Sequence, residues 1–149
     1  MGWQWGGGWL AAAGFSDFAG STLVHSTGGA AALAGALMLG PRLGRFTKSG
    51  APAPLKPFAA SSIPLVTVGV FILWLGWFGF NGGSQLAIGT ADDAIAVSTI
   101  FLNTFLAGAG GVMAAATVTR LNFGKTDVVQ MLNGWIGGLV AITDEPLMP

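Results

Sequence analysis

A chain of 149 residues in which 52% are hydrophobic and only 8% charged cannot cover its own surface with polar groups, since a soluble domain carries about a quarter charged residues. Six basic and six acidic residues cancel to a net charge of zero, and no basic patch interleaves with aromatics, which argues against nucleic acid as a partner. The absence of cysteine excludes a disulfide framework and a thiolate metal site, and a mean hydropathy of +0.69 makes lipid or other apolar protein the solvent for much of the chain.

Residues 1–14 carry Trp3, Trp5 and Trp9, aromatics that favour the headgroup level, and read as the tail of a preceding membrane segment followed by an interfacial loop. Met1 is followed by Gly2-Trp3-Gln4-Trp5-Gly6-Gly7-Gly8, which lacks the basic and then continuously apolar stretch of a secretory signal. Four segments are predicted to cross a bilayer as helices, near 20–40, 63–84, 95–119 and 128–143, because a spanning helix needs about 20 mainly apolar residues. The expected fold class is all-α, a polytopic transmembrane helix bundle. Gly28-Gly29, Gly108-Ala109-Gly110-Gly111 and Gly137-Gly138 fall inside these spans and point to close helix packing.

Charge sets the expected topology. Arg42, Arg45, Lys48 and Lys56 lie between the first and second spans, and Arg120 and Lys125 between the third and fourth, whereas Asp17, Asp92, Asp93, Asp144 and Glu145 occupy the other connections. With four crossings the basic connections, 41–62 and 120–127, share one side, and the positive-inside rule makes that side cytoplasmic. Asp92 and Asp93 read as a solvated outer loop, and Lys125-Thr126-Asp127 as the lead into the fourth span.

His25, the single histidine, sits in an apolar stretch inward of Asp17. An ionisable group within a membrane is costly, so it faces a bundle interior or cavity; the competing reading is a neutral ring bonded to a neighbouring helix. Burial disfavours the charged ring, leaving His25 able to accept or relay a proton. Asp17 fits equally a carboxylate at the N-terminus of the first span, stabilised by the helix dipole. Trp77, Phe80 and Ser84 fall at i, i+3 and i+7 on one face near the outer end of the second span. Rings beside a hydroxyl suit a small cation, while an interfacial aromatic belt is the commoner use of tryptophan. Asn81 reads as a residue that ends the second span.

Trp5-Gly6-Gly7-Gly8, Asp17-Phe18-Ala19-Gly20 with His25, Gly76-Trp77-Phe78-Gly79-Phe80-Asn81 with Ser84, and Asn133-Gly134 leading into Gly138-Leu139-Val140-Ala141-Ile142-Thr143 together resemble the Amt/Mep/Rh ammonium transporter family, bacterial Amt type. The resemblance implies an eleven-span, trimeric helical channel with two inverted halves, of which this chain covers the end of the fourth span through the eighth. By motif position, Trp5 and Ser84 resemble the outer ammonium-recruitment pair, Asp17 the acidic residue that orders the outer vestibule with Trp77 in support, Phe80 one of two stacked gate phenylalanines, and His25 the first of twin pore histidines. The implied partners are ammonium, the lipid bilayer of the cytoplasmic membrane, two further copies of the full protein, and a PII-type regulatory protein; no cofactor is implied. The second histidine and second gate ring fall outside the chain, so a truncated reading of a longer transporter, not competent alone, is expected. The rival readings are a non-transporting structural or regulatory fragment and an intramembrane hydrolase using a Ser–His pair, for which Ser84, in Gly82-Gly83-Ser84-Gln85, is the available nucleophile.

Overall fold

The computed structural model describes residues 1–43, 45–46 and 60–148, and among these every regular element is helical. A short helix, α1 (Trp9–Ala12), closes the N-terminal loop. Helix α2 (Ser21–Leu39) opens as a π-helix over Ser21–Ser26 and continues as an α-helix from Thr27. Three helices follow: α3 (Ile63–Gly83), α4 (Ala91–Phe123) and α5 (Val128–Ile142). By length and composition α2, α3 and α4 can cross a membrane. Helix α5, with 15 residues, is only about 22 Å long and falls short of a hydrocarbon core of about 30 Å.

Capping chemistry sets the helix ends, and at α4 it overrides the sequence reading. Thr90 and Asp93 form a reciprocal capping box: the Asp93 N–H donates to Thr90 Oγ1 at 3.1 Å and the Thr90 N–H donates to Asp93 Oδ2 at 3.1 Å. Asp92 and Asp93 therefore belong to the first turn of α4 rather than to a solvated loop, where the positive end of the helix dipole favours them. At the other end Arg120 lies in the last turn, and the N–H of Gly124, at φ +72°, donates to the Arg120 carbonyl at 2.9 Å. The helix thus runs about one turn beyond the expected 95–119 at each end. Asp127 starts α5 by accepting the Gln130 N–H at 3.0 Å. Most of the basic connection 41–62, including Lys48 and Lys56, lies outside the described residues.

Helices α4 and α5 form the tightest pair. A Cβ on Gly111 would collide with the backbone of Gly134, and one on Gly138 with the carbonyl of Ala107, so the two backbones touch where no side chain intervenes. Gly108 admits the indole of Trp135 in the same way. By contrast Gly28, Gly29, Gly110 and Gly137 face open space, so only part of each glycine patch serves packing within the chain. Ile100 and Leu139 are fully buried between α3, α4 and α5, beside a ring cluster in which Trp74 and Trp135 lie 4.8 Å apart.

The chain leaving α5 returns to the N-terminal loop. Phe18 N–H donates to the Asp144 carbonyl at 2.6 Å, Ala19 N–H to the Thr143 carbonyl at 3.0 Å, and Ser16 Oγ to Glu145 Oε2 at 2.9 Å. Asn103, midway along α4, donates to the carbonyls of Pro146 and Met148 and pins this segment from beneath. Asp17, Asp144 and Glu145 consequently gather at one end of the bundle, a helix length from Lys125 at the start of α5.

Candidate functional site

Asp17 is 2% exposed, and its carboxylate accepts four backbone N–H groups. Oδ1 takes Gly20 and Ser21 at 2.7 and 3.0 Å; Oδ2 takes Thr22 and Leu23 at 3.0 and 2.8 Å. These are the orphan donors that open α2, so Asp17 satisfies the whole first turn from three residues upstream of the capping position. The reach depends on Gly20, whose φ of +109° lies in the region that side-chain-bearing residues avoid; a Cβ there would also strike Val24.

The Gly20 carbonyl is the pivot of the site. It accepts the backbone N–H groups of Val24 and His25, both at 3.0 Å, and the second of these is the i→i+5 bond of a π turn. The same oxygen lies 3.0 Å from His25 Nδ1. A carbonyl can only accept, so Nδ1 carries a proton, and whenever the ring is neutral Nε2 is the nitrogen left to accept. Nothing in the sequence announces this geometry: the apolar pattern reads as a regular helix, and a π turn leaves no compositional mark.

Across from α2, the Trp77 indole stacks on the His25 ring with centroids 5.1 Å apart and planes 16° from parallel. Phe80 meets the same imidazole edge-on at 5.8 Å, and Trp77 at 6.2 Å. The three rings border a cavity of about 300 Å³ completed by Ile72, Leu73 and Gly76, so among the described residues His25 is its only ionisable lining group. Trp77 is 8% exposed and sits inside the bundle, unlike a tryptophan of an interfacial belt.

Of the outer residues, Trp5 donates its indole N–H to the Asp17 carbonyl at 2.6 Å, and its ring lies against Gly20. Ser84 Oγ donates to the Phe80 carbonyl at 2.8 Å, one turn back along the C-terminal end of α3. The structure thus joins Trp5 to Asp17, and Ser84 to Phe80, but no hydrogen bond links Trp5 with Ser84 among the described residues. Nor does a hydrogen bond join His25 to Ser84 among the described residues: Nδ1 of His25 faces the Gly20 carbonyl and Ser84 Oγ the Phe80 carbonyl.

Four buried polar groups behind the rings were not singled out from the sequence as one unit. Trp77 Nε1 donates to Thr143 Oγ1 at 2.8 Å; Thr143 Oγ1 lies 3.2 Å from Asn81 Oδ1 and 2.7 Å from the Leu139 carbonyl; Asn81 Nδ2 donates to Thr104 Oγ1 at 3.0 Å. Asn81, read from sequence as a residue that ends the second span, is instead fully buried and ties α3 to α4 and α5. A usable signal was present: Trp77 and Asn81 stand at i, i+4 on an otherwise apolar helix, where a polar side chain demands a partner. Just past the C-terminus of α5, burial pushes the Asp144 carboxyl above the ordinary carboxylate range, and the charges of Asp17 and Glu145 add to the effect. Among the described residues no group of acidic, histidine or cysteine side chains converges to hold a metal ion.

A sequence profile of the Ammonium Transporter Family matches residues 1–145. Ammonium transporter Amt2 of Archaeoglobus fulgidus is 44% identical over 151 residues, covering 95% of this chain and 31% of that protein. Among solved structures, one described as a Sensor Amt Protein superposes with a TM-score of 0.84 at 38% identity, covering 95% of this chain and 33% of its own. The crystal structure of Candida albicans Mep2 superposes with a TM-score of 0.78 at 37% identity, covering 97% of this chain and 30% of its own. The chain therefore spans about a third of the length of the relatives it matches. With nearly its whole length aligned, and its helices arranged as in Amt and Mep structures, this chain belongs to the ammonium transporter family.

Proposed function

We propose that this segment supplies the outer recruitment face and the first pore histidine of a membrane channel that takes up ammonium and conducts ammonia. The observation that carries the reading is the His25 ring itself: Nδ1 is held by the Gly20 carbonyl, its face lies on Trp77, its flank meets Phe80, and the cavity beside it is otherwise apolar.

Each outer group has a physical task. The exposed ring of Trp5 attracts a cation through its quadrupole. The Ser84 hydroxyl has already committed its hydrogen to the Phe80 carbonyl, so it offers only lone pairs to an arriving ligand. Ammonium can donate to such an acceptor; potassium, of similar size, cannot. Carrying a bare cation past Phe80 into the apolar cavity would forfeit its hydration. Transfer of one proton from ammonium to water at the outer face avoids that cost, and the neutral ammonia that remains then donates to Nε2 of His25. Asp17 acts indirectly in this scheme, because both of its carboxylate oxygens are taken up by the first turn of α2.

The test uses the intact transporter in proteoliposomes. Ammonium flux should saturate, and Trp5→Leu should raise the half-saturating concentration about threefold to tenfold with the maximal rate retained, as loss of one cation–π contact implies. Absence of saturable ammonium flux in the wild type, or an unchanged half-saturation in the variant, would overturn the reading.

A further inference from the structure

Thr143 meets both sides of the His25 site from a distance of 118 positions in the chain, and no role in recruitment or conduction accounts for it. Its hydroxyl oxygen accepts the Trp77 indole N–H at 2.8 Å, while its backbone carbonyl accepts the N–H of Ala19 at 3.0 Å. The first contact holds the ring that stacks on His25. The second holds the loop from which Asp17 and Gly20 launch α2. Thr143 is itself fully buried, and its own hydroxyl hydrogen has two acceptors within reach, Leu139 O at 2.7 Å and Asn81 Oδ1 at 3.2 Å.

We propose that Thr143 is a positioning residue for the His25 site, fixing the plane of the Trp77 indole so that it lies flat on the imidazole. The role rests on the transport reading above. The reason the anchor is needed is geometric. One side of Trp77 borders a cavity of about 300 Å³, so packing alone does not stop the ring from tilting into that space. The hydrogen bond at the opposite edge supplies the missing restraint. A tilted indole would lose its 16° stacking on His25 and crowd Phe80, which it meets at 6.2 Å. Conduction past these rings would suffer, whereas recruitment at Trp5 and Ser84, which Thr143 does not touch, would not.

Thr143→Val isolates the hydroxyl, because it keeps the shape and the backbone carbonyl that holds Ala19. In proteoliposomes of the intact transporter, the maximal ammonium flux per folded molecule should fall about tenfold, the change expected when the bond that holds the Trp77 indole is lost. The half-saturating concentration should stay at the wild-type value, and Thr143→Ser should restore the flux. In a Trp77→Phe background, which lacks the indole donor, Thr143→Val should add only a small loss, from the contacts of the hydroxyl with Leu139 and Asn81, well short of the tenfold it causes alone. A merely structural threonine would lower the yield of folded protein without changing flux per molecule, and that result overturns the proposal, as does a full additional loss in the Trp77→Phe background. If Thr143→Val does not fold, Trp77→Phe alone carries the test from the donor side: unchanged flux per molecule sinks the positioning role. A wild type without ammonium flux fails differently, since it removes the transport reading and this role with it.

Discussion

Replacing Asp17 by asparagine should release the start of α2. The carboxylate holds two N–H groups on each oxygen, at 2.7 and 3.0 Å on Oδ1 and at 3.0 and 2.8 Å on Oδ2. An asparagine keeps one oxygen and turns its amide NH₂ toward the other two donors, so two charge-assisted bonds are lost. At roughly 1.5 kcal/mol net for each, the local cost is about 3 kcal/mol. Every 1.4 kcal/mol is a factor of about ten, so the amides of residues 20–25 should exchange with solvent deuterium about a hundredfold faster than in the wild type. Hydrogen exchange read by mass spectrometry on the intact protein in lipid nanodiscs measures this directly, with α4 as an internal reference that should not change. Asp17→Ala, which keeps neither oxygen, should go further and lower the yield of folded protein. Exchange within threefold of the wild type in Asp17→Asn would refute the reasoning, because it would mean that the four amides do not depend on the carboxylate.

Gly20→Ala should destabilise the same region by about 1 kcal/mol from its φ of +109° alone, with the clash against Val24 added, visible as a lower melting temperature and faster exchange at His25; an unchanged melting temperature would show that the π turn does not need glycine. Gly111→Ala should cost several times more than Gly110→Ala, since only the first faces the α5 backbone at Gly134 while the second faces open space, and thermal unfolding in detergent compares the two. Asp144 gives a pH-dependent prediction: its carboxyl titrates above the ordinary range because burial and the neighbouring Asp17 and Glu145 disfavour the anion. A raised folded value means that stability is fully present at low pH and declines as pH rises through that value, so Asp144→Asn should match the wild type at low pH and melt higher at neutral pH. Parallel melting curves across pH would contradict that assignment.

The helices were legible because apolar stretches of membrane length admit few alternatives. Their ends were less so at α4, where charge was read as loop while Thr90 and Asp93 use it to start a helix. Within the site, the sequence marks Asp17 as a residue at a helix start but does not reveal that Gly20 lets it reach four amides at once. Trp77 reads from local context as part of an outer face or belt. Its indole N–H is bonded inside the bundle by Thr143, 66 residues further on, and contacts at that separation leave no trace in periodicity. The same holds for Asn81 and Thr104, each an unremarkable polar residue until the helices bring them together.

The most direct measurement is ammonium and potassium flux through the intact transporter carrying His25→Ala, normalised to folded protein. Among the described residues His25 contributes the only ionisable side chain of the ring-lined cavity, so its removal should abolish ammonium flux or admit potassium while the protein still folds. Ammonium flux of wild-type size with potassium still excluded would contradict the placement of His25 in the conducting path.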